Sequence, residues 1–297
     1  MTPELTLTPH QAIGIPLALL GAVFLSLGAQ YQHRGVAKVN GLSTVEIVGG
    51  LSLRQILQLL RRPSWLVGTL MLGVAVILQL TSLSFAPLIV VQPLGVLALV
   101  ITAVVNARVT GVPINKSSML AIALCVLGIA VFVTIAALVA VERPISNHQL
   151  VVILLILAAV TVTFVLVFIF GGRRFNATGY ILGAGVLYGF IATLAKVVIV
   201  RVQQREFEWL TLFCLLALLA AASLGAYFVQ AAYASGPPEL VIAGLTVVDP
   251  VIAVGIGIVV LGEATNAGLW QAIGFAAAAA AAVFGVFLLS RFHPQTN

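Results

Sequence analysis

Nine separate runs of about 20 predominantly apolar residues fill most of this chain, each long enough to cross a hydrocarbon core about 30 Å thick. They extend from Gln11 to His33, Ser64 to Phe85, Leu88 to Val109, Ser117 to Ala140, Gln149 to Gly171, Thr178 to Arg201, Trp209 to Ala234, Pro238 to Leu261 and Gly268 to Ser290. A segment in lipid must satisfy its own backbone hydrogen bonds, so runs of this length fold as helices. Only 7% of the residues are charged, against 62% hydrophobic, which leaves too little polar surface for a soluble domain. We therefore read the chain as an all-α integral membrane protein. The first run has no basic residue before it, no convincing cleavage site after it, and more length than a signal-peptide core, so we read it as retained.

The net charge of +6 resides in short loops between spans, with no aromatic-interleaved basic domain, so nucleic acid is not an expected partner. The charge distribution speaks to orientation instead. With the N-terminus outside, Arg34, Lys38, Arg54, Arg61, Arg62, Arg108, Lys116, Arg173, Arg174 and Arg291 fall on the cytoplasmic side and Arg143, Arg201 and Arg205 outside. That bias predicts a multi-pass protein of the cell membrane with a cytoplasmic C-terminus. Between the first two spans, residues 34–62 include Leu51 to Leu60, where apolar positions gather opposite Arg54, Gln55 and Gln58, as in a helix lying in the inner interface. Cys125 and Cys214 fall inside spans without a ligand partner at metal spacing and read as packing residues.

Displacing the chain by 151 positions aligns Gln79 with Gln230, Ser84 with Ser235, Pro87 with Pro238 and Gly111 with Gly262, together with several apolar identities. Five spans separate the two copies. An odd number reverses membrane orientation, so spans 1 to 4 correspond to inverted spans 6 to 9. Residues 1–171 would hold the first repeat and the linking fifth helix, and residues 172–297 the second repeat. Inverted repeats are typical of alternating-access carriers, whose substrate sits between the repeats near the midplane.

The polar residues inside the spans are the candidates for a site. Asp249 lies near the middle of the eighth span, too deep to reach water by extending its side chain, and an intramembrane carboxylate is costly enough to imply a function. Pro250 follows it and removes a backbone donor, so a helix break is expected there. Pro87, Pro93 and Pro238 are the other expected breaks or hinges. Lys196 lies near the outer end of the sixth span, where it either bounds a cavity or extends to the interface. An amide at Gln79, Gln230 or Gln92 either lines a path or joins neighbouring helices. Tyr188, Thr193 and Tyr227 add hydroxyls, and any metal ligand would begin with Asp249. Nucleotide-binding and hydrolase motifs are missing, so neither a cofactor nor catalytic residues are expected.

At Ser84-Phe85-Ala86-Pro87-Leu88-Ile89-Val90-Val91-Gln92-Pro93-Leu94-Gly95 the sequence resembles the NIPA-like, EamA-like branch of the drug/metabolite transporter superfamily. The likeness includes Trp65, Gly68 and His33-Arg34-Gly35, and extends to Asp249-Pro250 and Leu261-Gly262-Glu263. It implies nine or ten helices in the inverted-repeat fold and a role in magnesium transport. Where that family commonly places Gly-Glu and a nearby Asn in the second span, this chain has Gly73-Val74 and Leu78-Gln79. Where an acidic residue often follows the third span, it has Asn106-Ala107-Arg108. Magnesium prefers oxygen ligands, usually carboxylates, and retained water, and one mid-span Asp with several amides makes a weak site for it.

The leading reading is a secondary transporter of a small solute or cation, working as a monomer or homodimer among membrane lipids. Two others stay open. A lipid or lipid-linked-sugar flippase would use Lys196 and Arg108 to meet a phosphate, and a non-transporting scaffold would use its polar residues only to join helices.

Overall fold

The computed structural model describes residues 9–40, 62–111, 115–171, 177–206, 208–235 and 238–292. Among these, all regular structure is helical, and nine spans are long and apolar enough to cross a membrane. The helices are α1 (Pro9–Asn40), α2 (Pro63–Phe85), α3 (Leu88–Gly95), α4 (Leu97–Thr110) and α5 (Lys116–Val139). They continue with α6 (Asn147–Gly171), α7 (Ala177–Gln203), α8 (Trp209–Ser235), α9 (Pro238–Val259) and α10 (Leu269–Phe292). Helices α3 and α4 together form the third span.

Local chemistry sets the breaks. Ala86 is extended (φ −140°, ψ 150°), as the residue before a proline prefers, and Pro87 then caps α3. Pro93 lies inside α3, and the helix is interrupted three residues later at Val96. Pro238 opens α9 as its first residue, where a missing amide hydrogen costs nothing.

Two expectations need correction. The helix α1 continues past His33 to Asn40, so the segment between the first two spans starts as helix; its proposed interfacial part, 51–60, lies outside the described residues. The second correction concerns Pro250, which sits within an uninterrupted α9 rather than at a break. A proline deletes one helical hydrogen bond, and the surrounding packing tolerates that loss: α9 rests on α7 where Gly185 and Gly189 present bare backbone. A Cβ at Gly189 would stand 3.0 Å from the Asp249 carbonyl oxygen, and one at Gly185 would stand 2.6 Å from Val248 Cβ.

The repeat reappears in backbone geometry. Gly111 ends α4 with φ +71°, and Gly262 follows α9 with φ +69°. These are the two left-handed glycines among the described residues, and they are partners under the 151-residue displacement. Packing follows the same pairing, α1 on α2 in one half and α7 on α8 in the other.

The counterparts α5 and α10 lie against each other across the halves. Their backbones touch: a Cβ at Gly128 would be 2.6 Å from the Ala282 nitrogen, and one at Gly285 would be 2.5 Å from the Cys125 nitrogen. Part of the alanine run in α10 is thus used inside the chain, with small residues letting helices approach as packing in lipid requires. The third and sixth spans are the most enclosed of the nine, so α3, α4 and α7 form the centre.

Candidate functional site

Two groups of polar residues emerge, one at the membrane end that carries the start of α1, the other near mid-span. The first begins with Lys196, which is 4% exposed. Its ammonium donates to Leu83 O at 2.7 Å, Ala86 O at 2.9 Å and Glu142 Oε1 at 2.8 Å. An ammonium has three donors, and all three are engaged. Lys196 therefore neither extends to water nor pairs with Asp249. It caps the carbonyl end of α2, where a cation complements the helix dipole.

Across the break, the opposite charge meets the opposite helix end. The Glu263 carboxylate accepts from Leu88 N and Ile89 N, both at 2.9 Å, and so caps the amide end of α3. Left-handed Gly262 turns the chain so that the Glu263 amide donates to Gly257 O at 2.9 Å. A Cβ at Gly257 would stand 2.9 Å from Glu263 Oε2, so glycine there keeps the carboxylate's place open. Burial pushes the Glu263 carboxyl above its ordinary range, although the two amides and the Lys196 ammonium pull it down.

Neighbouring loops are tied to the same end. Val141 N donates to Glu263 O at 2.9 Å, and Gln149 Nε2 to Val260 O at 3.0 Å. Arg201, 2% exposed, donates to Ile145 O at 3.1 Å, to Asn147 Oδ1 at 2.6 Å and to Glu206. Glu263, Glu142 and Arg201 as a structural group escaped the sequence reading. An acid directly after a helix-ending glycine looks like an ordinary loop residue; only its place beside a break between two other helices, remote in sequence, reveals what it does.

The second group surrounds Asp249. Its Oδ1 is buried and has no hydrogen-bond partner. Pro250 has no amide hydrogen, so the Thr246 carbonyl one turn back lacks the usual helical donor. A carboxylate and a freed carbonyl, both hard oxygen donors, therefore sit within one turn of each other on α9. Tyr188 on α7 is within electrostatic reach of Asp249, and Tyr233 on α8 of Tyr188.

The remaining candidates are scattered. Thr193 is fully buried and donates to Gly189 O at 2.9 Å, within its own helix. Gln92 is buried in α3, Gln79 half-buried, and Gln230 and Tyr227 exposed on α8. No group of three or more metal-ligating side chains occurs among the described residues. A crevice of about 450 Å³ between α6, α7 and α8, lined by Leu154, Leu157, Thr161, Leu187, Ala217 and Leu224 among others, is apolar and holds none of the candidates.

With this geometry, the comparison with known proteins is decisive at one level. The model of the family described as Magnesium transporter NIPA matches residues 9–204. The chain belongs to that family. An uncharacterised protein of Corynebacterium glutamicum is 24% identical over 286 residues, covering 94% of this chain and 95% of its own length. The probable magnesium transporter NIPA4 of Arabidopsis thaliana is 30% identical over 115 residues, 39% of this chain and 32% of that protein. No solved structure matches. The NIPA match includes the Phe85-Ala86-Pro87 break and Lys196, whereas Asp249 and Glu263 lie beyond it. This NIPA member is thus a multi-pass membrane transporter, with lipid around it and an ion or small solute as its cargo.

Replacing Lys196 by Met removes the donors for two backbone carbonyls and leaves Glu142 without its ion pair. The expected loss of stability is on the order of 2 kcal/mol, from buried acceptors left unsatisfied. Glu142 is 43% exposed and adds little to that sum. Equilibrium unfolding of purified Lys196→Met beside the parent chain measures it, and equal stability would contradict the capping role.

Proposed function

We propose that this NIPA-family chain is a secondary transporter that moves a small cation, magnesium first among the candidates, by alternating access past Asp249. The observation that carries the reading is the Asp249 carboxyl, whose Oδ1 is buried in mid-span and unpartnered. A residue that only joins helices would have a partner for that oxygen. Magnesium is a hard cation that keeps several waters and needs only one or two carboxylates from the protein. Asp249 and the Thr246 carbonyl supply oxygens of that class, and the hydroxyls of Tyr188 and Tyr233 extend the polar line. Gln79, Gln92, Gln230, Thr193 and Tyr227 fit this path less directly.

In this reading the moving units are residues 1–171 and 172–297, and one chain carries the whole path. The protein sits in the cell membrane with its N-terminus outside, an orientation supported by the basic loops. An N-terminal tag that antibody reaches in intact cells would agree; one reached only after permeabilisation would reverse the orientation. A flippase reading gains nothing from Lys196, whose donors are engaged, or from the crevice beside α6, which has no basic residue in its lining.

The direct test is magnesium flux into proteoliposomes, followed with a trapped magnesium-sensitive dye. Asp249→Asn keeps the size but removes the charge, and uptake should fall by about tenfold or more, equivalent to ~1.4 kcal/mol or more. Equal uptake by both proteins would remove Asp249 from the mechanism.

A further inference from the structure

The break between α2 and α3 leaves the carbonyl end of one helix and the amide end of the next in a place where Leu88, Ile89, Val90 and Val91 have no exposed surface. Unsatisfied helix ends are costly in such surroundings. The groups that satisfy them come from elsewhere in the chain: Lys196 from α7 holds Leu83 O and Ala86 O, and Glu263 from the turn after α9 holds Leu88 N and Ile89 N. Every one of these bonds joins the first half of the chain to the second.

The repeat makes the arrangement one-sided. Under the 151-residue displacement the position equivalent to Glu263 is Val112, and Pro238 opens α9 as Pro87 opens α3. A valine side chain has no acceptor to offer an amide. The break that precedes α9, at the other membrane face, therefore has no carboxylate from the corresponding position.

We propose that Glu263 and Lys196 are the latch of the gate at the membrane face bearing the N-terminus, positioning residues whose bonds across the Phe85-Ala86-Pro87 break hold that face closed and must part for it to open. Its purpose rests on the transport reading; its geometry does not. Opening that face separates α3 from the turn after α9, because Glu263 in that turn reaches the α3 amides only while the two touch. At the opposite face the position corresponding to Glu263 is a valine, so this carboxylate is not repeated there and the resting chain favours closure at the N-terminal face.

The test uses thiol accessibility in lipid nanodiscs, where both faces meet solvent and membrane orientation does not matter. Val91, fully buried beneath the latch, is replaced by Cys; the native Cys125 and Cys214 are fully buried. With Glu263 intact, the new thiol should react slowly with a polar maleimide. Adding Glu263→Gln, which leaves one amide facing an NH2 group, should raise the rate by about tenfold or more as the gate opens locally. An unchanged rate overturns the latch.

Hydrogen exchange in the unaltered chain gives a second decision that survives if the variant fails to fold. Segment 88–94 should exchange at least about tenfold more slowly than its counterpart 239–245, and equal protection overturns the proposal. The outcomes separate from those of the transport reading. Faster labelling with no flux of any cation would leave the latch and refute the carrier; flux that depends on Asp249 with unchanged labelling would do the reverse.

Discussion

Everything at the N-terminal face depends on one physical requirement, that the interrupted backbone between α2 and α3 be satisfied without water. A proline break in lipid frees carbonyls on one side and amides on the other, and membrane proteins tolerate this only where protein supplies the missing partners. Here a cation meets the carbonyls and a carboxylate meets the amides, each sign matched to the helix dipole it faces. Because Lys196 and Glu263 belong to the second half of the chain, the repair of one break also joins the two halves.

That arrangement divides the charged residues by role. Lys196, Glu263 and Arg201 are committed to backbone and loop partners, which organise the end of the bundle. Arg201 leaves its Nε unpartnered but bonds through both terminal nitrogens, whereas the buried Asp249 Oδ1 has no partner. In the proposed transport reading, that contrast separates the structural charges from the binding one. It also accounts for the distance between Lys196 and Asp249 in function: the lysine has no donor left for a mid-span anion.

Much of the fold was legible because hydropathy over 20 residues and proline position are local signals. The nine spans, the resemblance at Phe85-Ala86-Pro87 and the paired glycines at 111 and 262 all come from such signals. The interruption after Pro93 and the continuity of α9 through Pro250 were harder, since a proline's effect depends on what packs against it, and Gly185 and Gly189 on α7 decide that for α9. The role of Glu263 was not legible in the sequence, because its partners lie about 175 residues away and only folding brings them together. Asp249 could be placed in mid-span from sequence, but whether its carboxyl had a partner could not be read there, and the proposed binding role rests on that observation.

The central claim is that Asp249 binds a cation, and equilibrium binding of magnesium to the purified chain in nanodiscs tests it most directly. Titration calorimetry should give one saturable site on the parent protein and a loss of that site in Asp249→Asn. The same binding curve for both proteins, or no binding by the parent, would contradict it.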